Sequence, residues 1–276
     1  CEKCGGEYGI LGHDWGEWQS NGDNKTHTRT CKRDGCGAVE TENCGGGNGI
    51  LQQMEDPGLG VESVHHLFLT HAHTDHLLGA VWLVRMAATA MRKGSYEGTL
   101  TIHCHPTLEQ ALRTFCTITL QKEFTDFFDE RILFLPIKDG ESRDIAGRTF
   151  TFFDIHSTKM QQFAFTVRMD CGKLAFMGDE PVNPACEEHA RNAAWLLCEA
   201  FCLRADAERF RPYEKHHSTV ADGAALAARL GVKNLVLWHT EDKSGLSDRK
   251  ARYTAEAAQH FQGGIYVPDD LDVVEL

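Results

Sequence analysis

The segment LFLTHAHTDHLLG at residues 67–79 constrains this chain more than any other feature of its sequence. It places three histidines and one aspartate within six positions, directly after an apolar run. One residue of extended chain separates His71 from His73, and Asp75 and His76 follow on the turn. This spacing lets two imidazoles bind one metal ion while a carboxylate and a third imidazole bind a second ion beside it. A His-rich polar turn is the alternative, but four ligand-type residues separated by small Ala and Thr favour a metal site.

Composition limits the classes of protein to consider. With 276 residues, 42% hydrophobic and 25% charged, the chain can form one large domain, or a medium one with an appendage. No apolar stretch approaches the roughly 20 residues of a membrane span, so we expect a soluble, cytoplasmic protein. The formal net charge of −12 opposes long-range attraction of nucleic acid. A nucleic-acid substrate would therefore have to be captured by a local basic patch.

The first 44 residues contain few aliphatic side chains and many cysteines compared with the rest of the chain. We therefore predict a Cys-rich segment at 1–44 and a main domain at 45–276. An odd total of eleven cysteines indicates a mostly reduced chain. The pieces CEKCGG and CKRDGCG offer four thiolates for a structural zinc ion, namely Cys1, Cys4, Cys31 and Cys36. A small hairpin region with free or paired thiols explains the segment equally well. The segment is also the candidate source of the main domain's first strands.

From residue 45 onward, strand and helix patterns alternate. Short β-rich runs predict strands at 64–70, 99–105, 148–156, 162–170, 173–179 and 233–239. Helical spacing of apolar residues predicts helices at 76–94, 106–121 and 218–231. Pro106 suits a first helical turn, and Ser218 or Thr219 suits an N-cap. The expected fold class is α/β with hairpins and with helices on more than one sheet face.

Further metal-ligand candidates stand at the ends of later strands. His156, Asp179 and His239 each follow an apolar strand, so each should project at the same edge as the cluster at 71–76. Acids and histidines at strand ends are often only solvated or capping. Three of them on three separate strands favour a shared site.

These motifs resemble the metallo-β-lactamase-fold hydrolases over about residues 45–276. The resemblance is carried by T-H-A-H-T-D-H, His156, the G-D of Gly178 and Asp179, and the W-H-T of residues 238–240. It implies an αββα sandwich with two metal ions. One ion would be held by His71, His73 and His156, its neighbour by Asp75, His76 and His239, and both by a bridging Asp179. His103 and His105, the main rivals of His156 as ligands, are interpreted as structural because the motif's third histidine comes shortly before the G-D hairpin.

A second resemblance indicates one branch of the metallo-β-lactamase-fold hydrolases. The stretches AWLLCEAFCLRAD and KHHSTVADGAALAARLGVKNLVLWHTED are similar to ribonuclease Z, the tRNA 3′-end endonuclease. The resemblance implies that Glu199 and His217 sit beside the metals. Two divalent ions, expected to be zinc with manganese or iron as alternatives, would activate a hydroxide that Asp75 orients. His217, oriented by Glu199, would then protonate the leaving alkoxide. We therefore predict a dinuclear-metal phosphodiesterase.

Two features depart from ribonuclease Z. Cys198 stands where that family typically has a histidine before the glutamate, and we find no Gly/Pro- and Lys-rich insertion for a tRNA-gripping arm. A thioester hydrolase like glyoxalase II and a non-catalytic metal-binding domain are the alternatives. The pair of Glu199 and His217 favours a phosphodiester, because a thiolate leaves without a strong acid. We expect a phosphodiester substrate with precursor tRNA as a candidate, no membrane association, and a homodimer as a candidate assembly.

Overall fold

The computed structural model describes most of the main domain and short parts of the Cys-rich segment. The described residues are 19–20, 26–30, 32, 39–43, 50, 54, 58–240 and 248–276. The predicted zinc ligands Cys1, Cys4, Cys31 and Cys36 lie outside them. The described strands of the first segment are β1 (Gln19–Ser20), β2 (Thr26–Thr30) and β3 (Val39–Asn43), which form an antiparallel sheet of their own. Within the described residues they extend neither sheet of the main domain.

A small parallel sheet carries the opening histidine cluster at its edge. Its strands, in spatial order, are β4 (His66–Phe68), β5 (Leu100–Cys104) and β6 (Ile132–Pro136). The helices that follow these strands are α1 (Thr74–Lys93), α2 (Pro106–Thr119) and α3 (Lys122–Thr125). Helix α1 ends at Gly94, whose φ of 76° suits the left-handed C-terminal position of a helix. No helix in the described part of the chain is long and apolar enough to cross a bilayer.

A seven-stranded sheet forms the second half of the domain. Its strands in chain order are β7 (Ser142–Ile145), β8 (Arg148–Asp154), β9 (Phe163–Met169), β10 (Gly172–Phe176), β11 (Trp195–Glu199), β12 (Asn234–Trp238) and β13 (Gly264–Tyr266). They neighbour one another in that same order, antiparallel up to β10 and parallel from there to β13. The associated helices are α4 (Glu187–Ala190), α5 (Ala207–Phe210), α6 (Val220–Arg229) and α7 (Arg249–Ala257). Thr219 caps α6 by accepting from the Asp222 amide.

Both faces of the large sheet are buried, and this makes the domain a sandwich. Phe152 and Phe153 are neighbours on β8 and point to opposite faces, yet each is only 1% exposed. Phe153 joins the core under α6 and α7. Phe152 faces the small sheet, where its ring centroid lies 5.2 Å from that of Phe68 on β4. The small sheet is covered on its other side by α1 and α2, so the order of layers is αββα, as predicted.

Truncation of the Phe152 ring, which lies between the two sheets, should destabilise the fold. We expect Phe152→Ala to lower the free energy of unfolding by about 3–5 kcal/mol, because it leaves a cavity where the two sheets meet. Ile118→Ala removes apolar volume from a side chain that is 73% exposed and should change stability by less than about 0.5 kcal/mol. Denaturant unfolding of both variants measures this difference. Equal stabilities would contradict the two-sheet core.

His103 should make the metal-free protein sensitive to acid. It is buried on β5 with Nε2 3.3 Å from His66 Nδ1, and burial lowers its pKa from 6.5 to about 4, with a further lowering from His66. Between these values only the unfolded chain takes up the proton, so stability falls as pH drops from 6.5 to 4. His103→Leu should flatten that fall by roughly 1–3 kcal/mol. Denaturant midpoints between pH 7 and 4.5 test it, and an unchanged slope would refute the role of His103.

Candidate metal centre

One group of donor atoms combines the loop after β4 with the end of β10. His71 and His73 leave the small sheet, and Asp179 follows β10. The His71 Nε2 atom lies 2.7 Å from His73 Nδ1 and 3.4 Å from Asp179 Oδ2. His71 and Asp179 are 1% and 3% exposed. Three ligand atoms therefore converge, within 4.8 Å of one another, at a point that is largely removed from water.

A second group lies beside the first. Asp75 and His76 stand in the first turn of α1, and His239 follows β12 with a left-handed φ of 52°. The His76 Nε2 atom is 3.5 Å from Asp75 Oδ2, and one ligand atom from each of the three residues lies within 4.8 Å of the others. A carboxylate and two imidazoles therefore converge beside the first group.

Asp179 joins the two groups. Its Oδ2 atom is 3.4 Å from His71 Nε2, 3.5 Å from His76 Nε2 and 3.7 Å from His239 Nε2. Burial alone would raise the pKa of Asp179, but its contact with His76, its electrostatic interaction with His71 and the hydrogen bond from Gln162 together lower it below its usual value. The carboxylate is therefore ionised at neutral pH, which is the form that can bind a metal ion.

His71 and His239 are in the state that binds metal. Burial lowers the pKa of His71 to about 3 and that of His239 to about 4, although the Asp179 charge opposes both shifts. Both rings are neutral at pH 7, and a neutral imidazole is the form that ligates. His76 Nε2 is buried and has no hydrogen-bond partner within the described residues. An unpartnered buried nitrogen is costly in a metal-free protein, so these donors fit a divalent ion.

An acid–histidine pair lies next to the second group. Glu199 ends β11 and is fully buried, and its Oε1 accepts hydrogen bonds from Ser218 N at 2.7 Å and Ser218 Oγ at 2.6 Å. Its Oε2 is 3.5 Å from His217 Nδ1. Burial raises the pKa of Glu199, and its contacts with His217 and Ser218 oppose that shift. The His217 ring stacks on Phe201, with centroids 4.8 Å apart, and lies 5.1 Å from the ring of His239.

The sequence of residues 43–240 matches the family described as "Beta-lactamase superfamily domain". The chain belongs to this superfamily. It is 26% identical to a ribonuclease Z from Bradyrhizobium sp. (strain ORS 278) over 236 residues, which are 70% of this chain and 77% of that protein. Its fold is similar to that of the metallo-β-lactamase fold protein YhfI from Bacillus subtilis, with a TM-score of 0.63, 17% identity and 94% of each chain covered. Human tRNase Z, short form, gives a TM-score of 0.60 at 18% identity, over 91% of this chain and 92% of that one.

These comparisons confirm the predicted fold, the ribonuclease Z-like resemblance and the class of metal-dependent hydrolase. Six of the seven metal ligands predicted for this chain lie in the two groups described above. His156 lies in neither. Its side chain is exposed, its φ is 57°, and its backbone amide donates to Asp154 Oδ1 at 2.8 Å. The rivals His103 and His105 are also outside both groups. His105 Nδ1 instead accepts from the Leu108 amide at the start of α2, which is a structural role.

The residue Cys198 does not face the metal groups. It is 1% exposed and belongs to the core cluster under α6, whereas Glu199, the next residue on β11, lies against Ser218 and His217. Neighbouring residues on a strand point to opposite faces. The departure from the ribonuclease Z pattern at this position therefore places a buried thiol in the core and leaves the acid–histidine pair intact.

Gln162, which carries no sequence signal for a metal site, contacts both His71 and Asp179. Gln162 is 1% exposed, its Nε2 lies 3.0 Å from His71 Nδ1, and it donates to Asp179 Oδ1. The Thr70 hydroxyl is 2.9 Å from the same His71 Nδ1. If Thr70 accepts the Nδ1 proton, His71 Nε2 is left free to ligate, and the Gln162 amide then packs against His71 Nδ1 without a hydrogen bond to it. The Gln162 amide then fixes the outer oxygen of Asp179 and leaves Oδ2 for the two groups.

Removing the Gln162 amide should loosen the metal groups. We expect Gln162→Leu to weaken zinc binding by about 10–100-fold, the usual effect of losing a partner that orients a ligand. Competition against a chromophoric chelator measures the affinity. Gln161→Leu, at the neighbouring exposed position, is the matched control. Equal zinc affinities in the two variants would show that Gln162 does not position the ligands.

Proposed function

We propose that this protein is a dinuclear-metal phosphodiesterase of ribonuclease Z type. The observation that carries the proposal is the position of His217, which contacts the buried carboxylate of Glu199 and lies beside His239 of the second metal group. A relative named ribonuclease Z at 26% identity supports the same activity. A phosphodiester needs both a nucleophile and a proton for its leaving oxygen, and the residues around these groups can supply both.

We propose that His71 and His73 hold one divalent ion, that Asp75, His76 and His239 hold a second, and that Asp179 is shared. His156 stays a prediction as the third imidazole of the first ion. Such a pair of ions polarises a phosphoryl oxygen and lowers the pKa of a bound water. Imidazole and carboxylate donors suit zinc, manganese and iron.

The roles of the protein's own groups follow from their positions. Asp75 is the exposed member of the second group, so its carboxylate can orient an attacking water while it ligates. His217 Nδ1 faces Glu199, so its other ring nitrogen, Nε2, is the one that can give a proton to the leaving alkoxide. The carboxylate of Glu199 stabilises the protonated ring that this transfer requires. A thiolate leaving group would make no use of this pair, which argues against a thioester substrate.

We propose a 3′-extended precursor tRNA as the substrate to test. The assay is gel electrophoresis of this RNA after incubation with zinc-loaded protein, with Asp75→Ala as the inactive control. Cleavage at the end of the acceptor stem would support a tRNA-processing endonuclease. An intact precursor together with hydrolysis of small phosphodiesters would retain the chemistry and reject tRNA as substrate. Two bound ions with no ester hydrolysis would reject the enzyme in favour of a metal-binding domain.

Loss of the proton donor should affect turnover without affecting metal binding. We expect His217→Ala to lower kcat by roughly 100-fold or more, the scale of general-acid catalysis, with an unchanged metal content by elemental analysis. His216→Ala changes the adjacent exposed histidine and is the matched control. Loss of metal from His217→Ala would identify this residue as a ligand. Thioester hydrolysis that survives His217→Ala would favour the glyoxalase II-like alternative.

A further inference from the structure

Lys159 lies on the segment between β8 and β9 and reaches the acid–histidine pair. Its Nζ atom is 3.4 Å from His217 Nε2 and 3.8 Å from Glu180 Oε1. The side chain of Lys159 is 21% exposed, so most of it is covered by the protein. Ser157 Oγ donates to the same Glu180 oxygen at 2.7 Å, which fixes that carboxylate. The ammonium is thus held at the nitrogen of His217 that points away from Glu199.

The hydrogen bonding between Lys159 and His217 depends on which ring nitrogen of His217 carries a proton. A neutral His217 with its proton on Nδ1 accepts a hydrogen bond from the ammonium at Nε2. A His217 that carries a proton on Nε2 instead presents a second donor to Lys159, and two donors 3.4 Å apart cannot bond to each other. An acceptor oxygen placed near both groups would satisfy both. The leaving end of a phosphodiester provides such oxygens.

The positive charge of Lys159 favours binding of an anion beside His217. The chain carries a formal net charge of −12, so a phosphodiester gains from a cation on the His217 side in addition to the two proposed metal ions. The ion pair of Lys159 is a long one, with Nζ 3.8 Å from Glu180 Oε1, whereas Arg113 lies 2.6 Å from Asp129 elsewhere in the protein, so the ammonium keeps room for a closer oxygen. A lysine ammonium binds phosphate oxygens as a point charge. A neutral thioester would gain far less from it.

We propose that Lys159 binds a non-bridging oxygen of the substrate phosphate on the His217 side of the site, and that it selects anionic phosphodiesters over neutral esters. This inference rests on the proposed phosphodiesterase function and names the residue that recognises the phosphate. The phosphate charge is present before and during the reaction, so the contact contributes mainly to binding.

The test compares Lys159→Met with Lys159→Arg and with Lys233→Met. Lys233 is exposed and precedes β12, at the opposite end of that strand from His239, so Lys233→Met makes the same change of charge away from the site. Hydrolysis of bis(p-nitrophenyl) phosphate gives KM and kcat separately. Calorimetric titration with uridine 5′-monophosphate measures phosphate binding without turnover. Circular dichroism and elemental analysis check folding and metal content.

We expect Lys159→Met to raise KM by about 10-fold, with kcat changed by less than about 3-fold, and to weaken nucleotide binding by a similar factor. Added salt should raise KM in the wild type more than in Lys159→Met. Lys159→Arg should recover part of the loss, and Lys233→Met should behave as the wild type. A Lys159→Met variant that binds the nucleotide and turns over as well as Lys233→Met would overturn the inference, as would a wild type that does not bind the nucleotide.

Failure of the proposed function gives a different result. If the wild type hydrolyses phosphodiesters but Lys159→Met is unaffected, only the role of Lys159 is wrong. If the wild type hydrolyses no phosphodiester, the proposed function is wrong, and the titration with uridine 5′-monophosphate still shows whether Lys159 binds phosphate.

Discussion

The buried carboxylate of Asp179 is the group on which the rest of the site depends. One of its oxygens lies within 3.7 Å of three imidazoles that come from the loop after β4, the first turn of α1 and the end of β12. A buried ionised carboxylate is unfavourable unless positive charge or hydrogen bonds compensate it. The rings of His71 and His239 are neutral at pH 7 because burial lowers their pKa values. The hydrogen bond from Gln162 supplies part of this compensation, and divalent ions held by these donors would supply the rest.

The fold serves to bring these segments together. Asp179 and His239 follow strands of the large sheet, while His71 and Asp75 follow a strand of the small one, so the site forms only if the two sheets pack face to face. The Phe163 amide of the large sheet donates to Thr70 O beside the small sheet at 3.1 Å, which ties the sheets next to His71. The aromatic core between them maintains the same alignment further from the site.

Much of this was predictable from the sequence where local rules apply. The helices expected at 76–94, 106–121 and 218–231 begin and end close to their observed bounds, because caps such as Thr219 and stops such as Gly94 are local signals. The strand expected at 64–70 is shorter, at His66–Phe68, since the chain leaves the small sheet before the histidine cluster. Pairing between distant strands determines where a strand ends, and no local pattern reports it.

The site was predictable to the extent that its residues form motifs. Spacing placed His71, His73, Asp75 and His76 in one site, and strand ends with the family resemblance added Asp179 and His239. Gln162 contacts His71 and Asp179, and Lys159 contacts His217 and Glu180. These contacts form only in the tertiary structure, and a lone glutamine or lysine near a strand carries no signal in the sequence. His156 shows the converse. It matches the family motif, but its exposed ring lies outside both groups.

The most direct test of the shared carboxylate is anomalous X-ray scattering at the zinc absorption edge from crystals of the zinc-loaded protein. This account predicts two peaks on either side of Asp179. One should be within about 2.0–2.2 Å of nitrogen atoms of His71 and His73, and the other within the same range of ligand atoms of Asp75, His76 and His239. A single peak, or two peaks that do not share Asp179, would contradict the central claim.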